Sequence, residues 1–148
     1  MAGQVSGRAL VGLDEPEALA LAASMPVGRI VHARDDRLFV APVNFLLEQR
    51  AVLIRTADGA ELLEAARRKA FAALEVDNIV DWSRSGWSVL IRGRLIEVTD
   101  SETVERVLSS GLRPWSEGKR DHIVCLLGEE VTGRRIEPGP GGISVVRI

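Results

Sequence analysis

Arg55 and Thr56 stand side by side at the end of an apolar run, and Asp58-Gly59 follows at once, opening a stretch with helical spacing. A guanidinium fork, a hydroxyl and the free N–H groups of a helix start are the groups that bind a phosphate. Trp87 offers a flat face that can cover a planar ring, and Trp115, beside Pro114, is a second aromatic. Each has a plainer reading. Arg55 also fits a solvated strand end, and Trp87 and Trp115 fit core or interface aromatics.

Other chemistries find less support. There is no glycine-rich phosphate loop of the nucleotide-binding types and no Gly-x-Ser-x-Gly elbow. His32 and His122 fall on separate strands, and two histidines alone make a poor metal site, so no metal is expected and each reads as a polar side chain at a sheet surface or interface. Cys125 is the single cysteine and lies between Val124 and Leu126, which reads as a buried structural thiol. Asp35-Asp36 and Glu129-Glu130 read as turns, and Arg67-Arg68-Lys69 as the cationic end of a helix. No side chain declares itself as a catalytic acid, base or nucleophile, so the catalytic residues are unknown at this level.

The 148 residues suit one domain spanning 1–148, with 46% hydrophobic residues and no run long enough for a membrane helix. A net charge of −2 asks for no nucleic-acid partner and no membrane surface. The first eight residues hold one basic residue and no apolar segment, so a cytoplasmic location is expected.

The elements that must position Arg55, Thr56 and Trp87 follow from periodicity. Residues 1–12 are small and polar and are expected to fray. Asp14, Pro16 and Glu17 start a helix, with Leu19, Ala22 and Met25 inward, and Pro26 ends it. Strands are expected at 27–33, 37–47 and 51–56, with Pro42 marking an edge or a bulge. A short helix over 60–68 turns Leu62, Leu63 and Ala66 inward, and a strand over 71–76 precedes a polar loop, 77–85. The longest strand, 87–98, sets Trp87, Val89, Ile91, Gly93 and Leu95 on one face, with a bend at Gly93. Thr99 and Glu102 cap a third helix with Val104, Val107 and Leu108 inward, which ends at Gly111. A loop over 113–121 leads to strand material at 122–127 and, after a polar turn, 131–136. A Pro/Gly tail (137–142) and a last short strand (143–148) complete the chain. The turns between strands are too tight for parallel crossovers. The fold class is mainly β: an antiparallel barrel of about six strands with three short peripheral helices.

Three segments then carry a likeness. They are Gly28-Arg29-Ile30 with Ala41-Pro42-Val43-Asn44-Phe45, Ile54 to Gly59 leading into a helix, and Gly86 to Arg94, seconded by Pro114-Trp115 and Asp121-His122. Their order and spacing over residues 14–136 resemble the pyridoxamine 5′-phosphate oxidase-like proteins, the FMN-binding split barrels, in their actinobacterial form. The resemblance implies a six-stranded antiparallel split barrel, usually a homodimer, with FMN in clefts between subunits. It implies that Pro42, Val43 and Asn44 run along the isoalloxazine ring and that Arg55 and Thr56 enter the phosphate pocket. Trp87, Ser88 and Trp115 would line the same cleft. The implied activity is that of an FMN-dependent oxidoreductase acting on a small-molecule redox substrate. The deazaflavin F420 is the alternative cofactor. A non-catalytic flavin or F420 sensor module and a cofactor-free structural dimer are the alternative functions. One position departs: Glu61 stands where many relatives carry a lysine or arginine that helps bind the phosphate. Arg55, Arg92 and Arg120 are the candidate compensating cations.

Overall fold

A computed structural model describes residues 10–137 of the chain. In chain order the strands are β1 (Leu10–Leu13), β2 (Val27–Arg34), β3 (Arg37–Asn44), β4 (Leu46–Glu48), β5 (Ala51–Thr56), β6 (Phe71–Val80), β7 (Ser85–Val98) and β8 (His122–Ile136). The helices are α1 (Glu15–Ala23), α2 (Glu61–Arg67) and α3 (Ser101–Ser109). The sheet runs β3-β2-β6-β7-β8-β5-β4, with β1 also paired to β8, and the pairings are antiparallel.

β3 begins that path and β4 ends it, yet Phe45 alone separates them in the chain. One residue spans only about 3.5 Å. The two ends of the sheet must therefore meet, and the sheet curls into a split barrel. Inward residues of β2, β5, β6, β7 and β8, such as Ile30, Ile54, Leu74, Ile91, Leu95 and Leu126, fill the interior together with Ala18, Ala22 and Leu63 from the helices. The expected face of β7 is the buried one: Val89, Ile91, Gly93 and Leu95 are buried and Arg92 and Arg94 exposed. Val52, Leu53 and Ile54 of β5 are all buried, because α3 covers its second face with Val107 and Val104. Cys125 belongs to this outer cluster, and burial, with Glu48 nearby, pushes its thiol up to about 11.

The strand count departs from the expected six, for two reasons. Residues 10–13 are not frayed but form β1, whose four residues pair with Gly133–Ile136. The expected 37–47 strand breaks at Phe45, where the chain leaves one edge of the sheet for the other. Other boundaries move as well. β6 runs on to Val80, so residues 77–80 are ladder and not loop, pairing with Ser85–Ser88. β8 is continuous through Gly128 to Glu130, and the expected turn at Glu129-Glu130 is a β-bulge: Arg92 faces Glu130 while Gly93 faces Gly128. The cap of α3 is Asp100, one residue after Thr99. Its carboxylate accepts from the Thr103 N–H at 2.9 Å and the Thr103 hydroxyl at 2.7 Å, which lowers its pKa. Leu108 is exposed and not inward. At α1 the cap is the expected Asp14, accepting from Glu17 N–H at 2.9 Å. The tail beyond Glu137 and the expected last strand at 143–148 lie outside the described residues.

The bulge fixes the demand at Gly93. A Cβ there would sit 1.7 Å from the Leu127 carbonyl oxygen. Gly93→Ala is expected to destabilise by roughly 3 kcal/mol in urea unfolding, because backbone must shift. Gly12→Ala, whose Cβ would meet nothing within 4 Å, should stay within about 0.5 kcal/mol. Equal effects of the two would refute the close approach.

Candidate functional site

The split leaves a cavity of about 360 Å³ between β3 and the end of β5, with β2 behind it, the start of α2 below and the 112–120 loop across its mouth. That volume lies in the range of small-molecule sites. Among the described residues β3 is an edge strand paired only with β2, so alternate N–H and C=O groups along Phe39–Asn44 point away from the ladder. Pro42 occupies the edge, where a missing N–H costs no ladder bond.

Each lining side chain has a defined local role. Asn44 holds the mouth: its side-chain oxygen accepts the Trp115 N–H at 2.9 Å, and its amide donates to the Pro26 carbonyl at 3.1 Å. Arg55 also serves the loop. Its Nε donates to the Arg120 carbonyl at 2.9 Å and its Nη1 to the Leu112 carbonyl at 3.0 Å. Arg120 donates to the Ser116 hydroxyl at 2.7 Å. Thr56 is buried in the cavity wall.

The sequence placed His32 at a sheet surface or interface and singled out no role for Phe39; His32 is instead buried, and both residues line the cavity. They are cross-strand partners in the β2–β3 hairpin, their rings stacked at 5.1 Å and 13°. His32 is 5% exposed and its Nδ1 has no hydrogen-bond partner among the described residues. Burial lowers its pKa, with Glu61 raising and Arg68 lowering it further. The ring is therefore neutral at pH 7. The signal was present in the alternation Gly28, Ile30, His32, which places the histidine on the inward face.

Glu61 faces the cavity and does not turn away from it. Arg34 pairs with it at 3.5 Å and Arg68 at 3.3 Å. Of the three expected compensating cations, Arg55 holds the loop and Arg120 bonds Ser116. Arg92 lies on the outer face of the sheet, paired with Glu130 at 3.6 Å. The cations that pair with Glu61 are Arg34 and Arg68, neither of them anticipated.

The structure thus gathers Pro42, Val43, Asn44, Arg55 and Thr56 around one cavity. Trp115 is at its mouth but 73% exposed. Trp87 and Ser88 are elsewhere. They line a second cavity of about 310 Å³ with Leu10, Ile79 and Arg134, and Trp87 packs against the core. Within one chain they do not join the β3–β5 site. Among the described residues, no group of three or more His, Cys, Asp or Glu gathers as for a metal ion, and no helix is long and apolar enough to cross a membrane.

A family model of pyridoxamine 5′-phosphate oxidase matches residues 14–135, and the chain belongs to that family. An uncharacterised protein of Mycobacterium tuberculosis is 38% identical over 135 residues, 88% of each chain. The solved structure of an FAD-binding protein from Mycobacterium smegmatis superposes with a TM-score of 0.74 at 33% identity, covering 86% of this chain and 98% of that one. An FAD-binding protein from Mesorhizobium loti gives a TM-score of 0.74 at 24% identity over 88% and 99%, a likeness of fold alone.

Two predictions follow from these side chains. Arg55→Ala frees two carbonyls and is expected to cost about 1 kcal/mol for each lost hydrogen bond. Amide exchange over 112–120 should quicken while exchange in β5 stays slow, and unchanged loop exchange would refute the tether. The second concerns Arg29, which pairs with both Glu75 (3.2 Å) and Asp77 (3.0 Å). Burial first, and then Asp77, push Glu75 up to about 7 against the pull of Arg29. The folded chain then holds a proton that an unfolded glutamate, near 4.5, has released. Stability from this group is full below pH 4.5 and falls as pH rises through 7. Glu75→Gln should gain thermal stability relative to the native chain between pH 5 and 8, and His32 cancels in that difference. A pH-independent difference would contradict the assignment.

Proposed function

We propose that this chain is a flavin-binding, oxidoreductase-like protein that holds the ring in the β3–β5 cavity, with FMN as the form implied by the resemblance. The observation that carries the reading is the unpaired edge of β3 facing a cavity of suitable size. Its N–H and C=O groups can bond the edge of a flat heterocycle, while Val43, Ile30 and Leu62 supply apolar contact. The FAD-binding relative at 33% identity supports the same class of ligand. A bound flavin would supply the hydride or electron transfer. The chain's own groups orient the ring, and the Asn44 and Arg55 tethers keep the mouth loop in place.

A second copy of the chain completes this reading. Leu38 and Val40 of β3 are 77% and 63% exposed, and Phe71 is 59% exposed. The register places them on one outer face with Val31, Ala33 and Ala73. An apolar face of this extent beside a site marks an interaction surface, and a homodimer would cover it.

The test is a titration of the purified protein with FMN and FAD, following flavin fluorescence and melting temperature, with sedimentation of the same samples. Saturable binding of either with a raised melting temperature, at twice the chain mass, is the expected result. A colourless protein indifferent to both would overturn the flavin reading. A single-chain mass unchanged by Val40→Arg would overturn the dimer.

A further inference from the structure

The ring and the tail of a flavin make opposite demands on a cavity, and the polar end of this one is unusual. Its anion is Glu61, which lines the wall. The cations around it are engaged. Arg34 and Arg68 pair with Glu61 itself, Arg55 bonds two loop carbonyls, and Arg120 bonds Ser116. His32 adds a neutral ring whose buried Nδ1 has no partner among the described residues. The seven-residue α2 carries Glu61 and Glu64 in its first turn, so its positive end is already answered by its own carboxylates.

These groups discriminate by hydrogen-bond chemistry. A phosphate dianion only accepts, and Glu61 has nothing to donate to it. A hydroxyl can accept from a backbone N–H of the α2 start, where Ala60 provides no side-chain cap, and donate to the carboxylate. We propose that the Glu61 end of the cavity receives an uncharged, hydroxyl-bearing tail and rejects a terminal phosphate monoester. This rests on the flavin reading and specifies which form of the ring system the site takes.

The experiment compares riboflavin with FMN, which differ by the phosphate alone, in fluorescence titrations of the native chain, Glu61→Gln and Glu61→Lys. Melting curves first establish that each variant folds, and the near-isosteric glutamine serves if the lysine beside Arg34 and Arg68 does not. The native chain should bind riboflavin on the order of tenfold more tightly than FMN. Glu61→Gln should narrow that ratio, and Glu61→Lys should reverse it. Equal or tighter binding of FMN by the native chain overturns the inference and leaves the flavin reading standing. Loss of that FMN binding in Arg120→Gln would then identify Arg120 as the phosphate's partner. If neither ligand binds the native chain or any variant, the flavin reading falls and the inference with it.

Discussion

The single-residue link at Phe45 is the constraint from which the site descends. β3 and β4 lie at opposite ends of the sheet path and are nevertheless covalent neighbours. Hydrogen-bonded strands sit about 4.8 Å apart, so a flat sheet of this many strands would hold its two ends many times farther apart than one residue reaches. Curling is obligatory. The closure is not completed by pairing, because β3 bonds β2 and β4 bonds β5. What remains between β3 and β5 is a slot where, among the described residues, the outer edge of β3 and the Ile54–Thr56 end of β5 beyond β4 have no ladder partner, and that slot is the cavity. An exposed edge is ordinarily an invitation to aggregation. Here Pro42 removes one donor and the 112–120 loop, tied by Asn44 and Arg55, covers part of the rest.

The arginines show how residue type and residue role come apart. A chain whose cations are nearly all arginine looks rich in phosphate-binding forks. Inside the fold those forks turn to carbonyls and carboxylates of the same chain. Ion pairs this exposed contribute little to stability, with a median between about 0 and 1 kcal/mol. The Arg34 and Arg68 contacts with Glu61 therefore matter less as stabilisation than as compensation. They let a carboxylate remain at the cavity wall without leaving its charge uncancelled.

Local patterns were legible in the sequence, and pairings across the chain were not. The Asp14 cap, the alternation of β7 and the three helices depend on neighbours within one or two turns, and reading along the chain finds them. β1 escaped because the ladder that makes it a strand is to β8, more than a hundred residues away. Asp77 and Asn78 read as loop because their polarity is local, while their place in β6 is set by Ser88 and Trp87 opposite. The bulge at Glu129 looked like a turn for the same reason: its extra residue makes sense only against Gly93. At the site, the contiguous stretches holding Pro42 to Asn44 and Arg55-Thr56 were visible. His32, Arg34 and Arg68 matter through what they meet in space, and the distance of Trp87 from the β3–β5 cavity could not be read from its spacing.

The hairpin between β2 and β3 couples a surface turn to the chemistry of the cavity. Arg34 and Arg37 are paired, leaving Asp35-Asp36 as the whole turn, with Asp35 at φ 53°. Aspartate tolerates that left-handed conformation better than most residues. The two-residue turn sets the register that puts His32 opposite Phe39 on the inward face and Val31 opposite Val40 on the outward one. Side chains alternate with a period of two, so a slip of one residue in β3 would exchange its faces. Phe39 would leave the cavity, and Val40 would leave the apolar patch outside. The neutral polar wall and the proposed dimer face are thus not independent features. Both are set by one register, which the two aspartates of an exposed turn maintain.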